Sequence, residues 1–215
     1  YSDADKILHE AEQGLHIYLC NFVSCRTVRQ GIFFFSEAHM NKKIMDEAAL
    51  GRAVMRISHE IIEKNKGTEN IVLVGIKRRG IILGQMIHDN IMKIEGVDVP
   101  FQTLDIHFYR DDLTKESEAP IYNAENDRFE VTDKKIVLVD DVIYTGRTVR
   151  AAIEAIFTMG RPSQIQLAVL IDRGHRELPF KADYIGKSIP TSRNETVSVK
   201  VECIDGETGV DLLTD

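Results

Sequence analysis

Two adjacent carboxylates, Asp140 and Asp141, close the apolar run Lys135–Val139 and open a turn of small and hydroxylated residues, Val142–Thr148. Ionised carboxylates only accept hydrogen bonds, which suits sugar hydroxyls or a hydrated Mg2+. In the turn, Thr145, Gly146 and Thr148 stand just before a predicted helix. Backbone N–H groups, two hydroxyls and a helix N-terminus can there converge on one phosphate. The carboxylates would repel that phosphate unless they touched another part of the same ligand, so the pattern predicts a sugar phosphate. An Asp pair by itself could equally cap a strand end; it is the whole string that selects the ligand. No Gly-Lys-Ser/Thr follows the turn, which argues against nucleoside triphosphate hydrolysis.

The surrounding elements must hold that turn at the end of a strand. From Asp46, Leu50, Ala53, Val54, Ile57, Ile61 and Ile62 recur at helical spacing, with Asp46 as N-cap and Gly67 as stop. "NIVLVGI" reads as a buried strand, "KRRG" as a loop, and "GIILGQMIHDNIMKIEG" as a second helix. "FQTLDIHFY" alternates as a strand, and the charged segment 110–128 has no period and reads as a long loop. "KIVLVDD" is the next strand, "TGRTVRAAIEAIFTMG" a helix ending at Gly160, and "IQLAVLID" another strand. Shorter strands are expected in "ADYIG" and "VSVKVEC". Alternating buried strands and helices predict an α/β fold with a largely parallel sheet covered on both faces, and ligands gather beyond the carboxyl ends of such strands. The loops "KRRG" and "DDVIYTGRT" lie there. One core is expected, with Met40 as the boundary within the chain.

The 215 residues carry a formal net charge of -7, which argues against coating nucleic acid nonspecifically but leaves room for a local basic face. Three cysteines, Cys20, Cys25 and Cys203, form no disulfide framework. With no long apolar run and no secretion signal, the expectation is a cytoplasmic protein without membrane contact.

"VLVDDVIYTGRT" resembles the phosphoribosyl pyrophosphate (PRPP) signature of type I phosphoribosyltransferases. "VGIKRRG", "FYRDDLT", "GRPSQIQLAVLIDRGHRELP" and "ADYIGKSIPTS" extend the likeness, and together they resemble the PyrR family from Met40 to about Cys203. That family comprises pyrimidine operon attenuators with uracil phosphoribosyltransferase activity. The resemblance implies a central sheet with a small hood and a flexible loop, and a reaction of uracil with PRPP to give UMP and pyrophosphate, with Mg2+ arriving on PRPP and water. It implies that Asp140 and Asp141 hold the ribose 2- and 3-hydroxyls, while Val142, Ile143, Tyr144, Thr145, Gly146, Arg147 and Thr148 wrap the 5-phosphate. It assigns the pyrophosphate to Lys77, Arg78 and Arg79, joined by Arg110 when the long loop closes. Asp140, Asp141, Lys77, Arg79 and Arg110 are therefore the expected catalytic set, although Asp141 could either support a cationic ribose ring or simply bind. Asp111 and Asp112 are read as hinge or cap residues. Arg176, beyond the strand after the signature helix, is expected at the nucleotide rather than at an RNA phosphate.

The resemblance also implies a regulator that binds a hairpin in its operon's leader mRNA under control of UMP or UTP. Arg52, Arg56, His59 and Glu63 form a polar stripe on the first helix, followed by Lys64 and Lys66, with Lys187 added from elsewhere. Such a stripe is more often a solvated face. Arg147, Arg150, Arg161 and Arg193 could extend it. No stacking-strand signature is present. A homodimer or higher homo-oligomer would combine weak basic faces. A purely metabolic uracil or purine phosphoribosyltransferase without RNA binding is the alternative.

Residues 1–39 match nothing in that family and are expected to lie outside the native working protein. "CRTVRQG" can be encoded as an inverted repeat, TGCCGCA facing TGCGGCA, and the three phenylalanines Phe33–Phe35 need a thymine-rich stretch. A transcription terminator, in the gene's own leader or after an upstream gene, would read this way. The idea predicts that inverted repeat in the DNA for Cys25–Gly31, and fails if the codons lack it. Separately, a chain beginning at Met40 should fold and bind PRPP as the full chain does; loss of either would assign the extension to the protein.

Overall fold

The computed structural model describes residues 42–106 and 129–214. Arg110, Asp111, Asp112 and the rest of the expected long loop lie outside them, as do residues 1–41. The strand β1 (Lys42–Asp46) leads into α1 (Glu47–Asn65), whose first turn is capped by the Asp46 carboxylate accepting from Ala49 N at 2.7 Å. The helix ends on Lys66 in the left-handed region, one residue before the expected Gly67. There follow β2 (Ile71–Ile76), α2 (Arg79–Glu95), β3 (Phe101–Leu104), β4 (Lys135–Ile143), α3 (Arg147–Met159), β5 (Gln164–Asp172), β6 (Tyr184–Ser188), β7 (Glu195–Lys200), the single turn α4 (Glu202–Asp205) and β8 (Gly209–Thr214).

Five strands form a parallel sheet in the order β3-β2-β4-β5-β6. All six residues of β2 are buried, as are Ile136 to Asp140 of β4, because helices cover both faces. On one face, α1 and α2 bury Leu50, Ile57, Ile61, Leu83 and Ile87 against Leu73, Val137 and Val139. On the other, α3 buries Val149, Ala152 and Ile156 against Val74, Ile136 and Leu138. The chain leaves β2 through α2 toward β3 and leaves β4 through α3 toward β5, on opposite faces of the sheet. Adjacent strands whose outgoing connections diverge leave a crevice at their carboxyl ends, where ligands bind in open α/β sheets.

The small hood that the resemblance implies is present beside this sheet, and its Val197, Val199 and Val210 join the same core cluster as Leu73 and Val137. The strands β1, β8 and β7 make a separate antiparallel sheet, the hood. Neither β1 nor β8 has an alternating pattern long enough to read alone, and β1 has a register irregularity between Lys43 and Met45. The hood is held by pairing of remote segments, which local periodicity cannot register.

A buried polar network closes the far end of the sheet. Asn65 donates to Gln166 Oε1 at 2.9 Å, Gln166 donates back to Asn65 Oδ1 at 3.1 Å, and the Tyr184 hydroxyl donates to Gln166 Oε1 at 2.8 Å. Burial pushes the Tyr184 hydroxyl up to about 12, so it stays a neutral donor. Such fully paired groups fix the register of α1 on β5 and β6.

Candidate functional site

The crevice between β2 and β4 brings the two chemistry-bearing loops together because of a glycine. A Cβ on Gly80 would lie 2.4 Å from the Val139 carbonyl oxygen and 3.3 Å from the Asp140 Cα. Only a residue without a side chain lets the start of α2 rest on β4. The basic loop Lys77–Arg79, one residue earlier, is thereby set beside the carboxylates.

Asp140 is 7% exposed. Its Oδ1 accepts from Asp141 N at 2.9 Å, and Asp141 Oδ1 accepts from Val142 N at 2.8 Å. The turn after them lines a cavity of ≈ 320 Å³ whose wall runs from Asp140 through Thr145, Gly146 and Thr148 to Val149. Gly146 has φ 93°, and the α3 N-terminus that follows carries no capping side chain. Arg147 N donates weakly to Thr145 Oγ1 at 3.4 Å, and the other N–H groups at such an end favour an anion.

The cations divide differently from the expectation. Lys77 N donates to Leu104 O at 3.0 Å, and Lys77 Nζ pairs with Asp105 at 3.1 Å. Arg78 is exposed at the head of α2, and its guanidinium has no hydrogen bond or ion pair among the described residues. Arg79 pairs with Asp205 of the hood at 2.8 Å. The Val201 N–H, and then the Arg79 guanidinium, hold the Asp205 carboxyl below the usual carboxylate range. Arg147 pairs with Glu177 at 2.8 Å.

Arg176, expected at the nucleotide, lies against the back of the turn. Its guanidinium donates to the carbonyls of Ile143, Tyr144, Gly174 and Phe180 at 2.9–3.2 Å and pairs with Asp172 at 2.7 Å. Sequence reasoning missed its neighbour Arg173, which is 7% exposed. Arg173 sits 4.1 Å from the centre of the Tyr144 ring and donates to Thr191 Oγ1 and to Glu195 O, at the edge of the hood. The signal was present: a charged residue directly continues the buried run "LAVLID". Glu177, Asp105 and Asp205 were likewise not singled out.

The residues expected to meet RNA gather along α1 and the edge strand β6, but several are engaged within the fold. Arg56 donates to Ile185 O at 3.1 Å and to Gly186 O, and it faces Glu60 at 3.8 Å. Lys64 pairs with Asp183 at 2.5 Å, and Lys187 donates to Ile44 O at 3.2 Å. Arg52, His59 and Lys66 are exposed.

Comparison with known proteins fits this geometry. Residues 40–203 match the phosphoribosyl transferase domain. The fold resembles hypoxanthine phosphoribosyltransferase of Trypanosoma cruzi, with a TM-score of 0.61 at 19% identity over 80% of this chain and 95% of that one. It also resembles a hypoxanthine-guanine phosphoribosyltransferase from Bacillus anthracis, with a TM-score of 0.62 at 17% identity over 81% and 97%. Likeness at that identity is a likeness of fold. Closer relatives are the bifunctional protein PyrR of Caldicellulosiruptor bescii, 62% identical over 79% of this chain and 93% of that protein, and that of Listeria monocytogenes, 57% identical over 76% and 91%. The chain is a phosphoribosyltransferase-domain protein that belongs to the PyrR family.

Proposed function

We propose that this protein transfers the ribosyl 5-phosphate of PRPP to uracil, giving UMP and pyrophosphate, and that UMP controls its binding to the leader mRNA of the pyrimidine operon to favour transcription termination. The observation that carries the catalytic half is the Gly80 contact, which sets a basic loop, two carboxylates and an uncapped helix start around one crevice. That arrangement is complementary to PRPP, with positive groups for its two anionic ends and acceptors for its ribose hydroxyls. Asp140 and Asp141 accept from the ribose hydroxyls, the turn Tyr144–Thr148 surrounds the 5-phosphate, and Lys77, Arg78 and Arg79 face the pyrophosphate. Uracil N1 bonds to ribose C1 as the C1–O bond to pyrophosphate breaks, through a transition state with positive charge on the ring, and the N1 proton passes to the departing pyrophosphate or to solvent. The site supplies position and electrostatics, and needs little proton transfer. Arg110, from the expected closing loop, adds charge and excludes water that would otherwise hydrolyse PRPP.

Mg2+ fits these donors. It prefers a carboxylate or two plus phosphate oxygens and water, and Asp140 and Asp141 offer such a pair beside the pyrophosphate loop. When bound on PRPP it neutralises charge on the leaving group.

The regulatory half rests on family membership and on the α1–β6 face, where Arg52, Arg56, His59, Lys64, Lys66 and Lys187 collect on an otherwise acidic protein. A homo-oligomer would join two such faces. No helix among the described residues is long and apolar enough to cross a membrane, and we place the protein in the cytoplasm.

Asp140→Asn combined with Asp141→Asn should lower kcat/KM for UMP formation about a hundredfold or more, since each lost charged hydrogen bond is worth about 1.5–3 kcal/mol. Wild-type turnover and PRPP affinity in that variant would refute the assignment; hypoxanthine and guanine assayed beside uracil test the base. For RNA, Arg52→Ala with Lys66→Ala spares the anchored Arg56 and Lys64. In gel shifts with and without UMP it should weaken leader binding and reduce the salt slope by about 0.7 for each phosphate no longer neutralised, with uracil transfer unchanged. Equal loss of both activities would point instead to a damaged fold.

A further inference from the structure

The segment Asp172–Phe180 wraps the outside of the phosphate turn, and its contacts have one direction. The Tyr144 carbonyl accepts from Arg176 at 2.9 Å, the Ile143 carbonyl accepts from Arg176 at 3.2 Å and from Arg173 N at 3.3 Å, and the Thr145 carbonyl accepts from the N–H groups of Glu177 and Leu178, both at 3.0 Å. Three successive carbonyls therefore point away from the cavity. In a planar trans peptide, the N–H of the next residue points opposite to the carbonyl. The N–H groups of Tyr144, Thr145 and Gly146 are thus turned the other way, and nothing among the described residues accepts from those of Thr145 and Gly146.

Arg176 is suited to this by its shape. A guanidinium presents five N–H donors in a rigid plane, whereas a lysine ammonium is a compact point charge. Its Nη1 spans the Ile143, Tyr144 and Gly174 carbonyls, its Nε reaches Phe180 O at 3.2 Å, and its Nη2 pairs with Asp172. The same Asp172 Oδ1 accepts from Gly174 N at 3.0 Å, which fixes the carboxylate. Arg173 grips the Tyr144 ring from the same segment.

We propose that Arg176 is a positioning residue for the 5-phosphate: by holding the Tyr144 carbonyl outward, and sharing that of Ile143 with the Arg173 N–H, it presents the N–H groups of the turn to the ligand without touching the ligand itself. This rests on the PRPP reading of the site. It separates the two ends of PRPP, because ribose 5-phosphate needs the turn with Asp140 and Asp141, and pyrophosphate the Lys77–Arg79 loop.

The experiment compares the full-length wild type with Arg176→Lys and Arg176→Gln, titrating ribose 5-phosphate and pyrophosphate separately by calorimetry and measuring KM for PRPP against kcat. Both variants should lose about tenfold or more in ribose 5-phosphate affinity, a shift of about 1.4 kcal/mol. Pyrophosphate affinity should stay within about twofold, and KM for PRPP should rise more than kcat falls. If Lys retained wild-type affinity and only Gln lost it, Arg176 would act as a charge on the phosphate and the proposal would be wrong. Unchanged binding in both variants, or equal loss of both ligands, would also overturn it. A wild type that bound neither ligand would overturn the PRPP reading and the proposal with it.

Discussion

The contact of Gly80 with Val139 is the constraint on which the site depends. Two parallel strands end side by side, and each is followed by a loop that could hold one end of a long anionic ligand. Those loops serve one ligand only if α2 starts flush on β4. The missing Cβ permits this, at 2.4 Å from the Val139 oxygen. Gly75, on β2, repeats the device, since a Cβ there would meet Ile81 Cα at 2.6 Å. The glycines in "VGIKRRG" thus act through backbone approach, not through flexibility.

Around that contact, charge is organised by restraint. The protein is acidic in total, yet the crevice collects cations, and most are already paired: Lys77 with Asp105, Arg79 with Asp205, Arg147 with Glu177. Such pairs at partly exposed positions are worth little individually, but they hold long side chains near where a polyanion would arrive. On the proposed reading, a pyrophosphate shares or displaces Asp205 to reach Arg79. That ties the leaving-group loop to the hood, and the grip of Arg173 on Tyr144 and Glu195 O ties the phosphate turn to the hood as well.

Much of this was legible in the sequence, and the reason is locality. Helical spacing from Leu50 to Ile61, the unbroken apolar runs of β2, β4 and β5, and the string from Asp140 to Thr148 are all patterns within about twenty residues. They define the sheet, its covering helices and the phosphate turn. Of the hood, β7 was readable in "VSVKVEC", but β1 and β8 were not, because they pair with each other across most of the chain. Nor was the orientation of arginines readable. A guanidinium in "DRGHRELP" can face a ligand or a neighbouring carbonyl with the same residue spacing, and only the fold shows Arg176 turned to the carbonyls and Arg56 turned to β6. Capping, by contrast, is short-range, and Asp46 was found where its spacing placed it.

The most direct test of the account is PRPP binding to Gly80→Ala, with ribose 5-phosphate titrated beside it and circular dichroism to establish that the variant is folded. Forcing α2 off β4 should separate the basic loop from the carboxylates, lowering PRPP affinity by about tenfold or more while ribose 5-phosphate binds nearly as in the wild type. A folded Gly80→Ala protein with wild-type PRPP affinity would contradict the claim that this contact assembles the site.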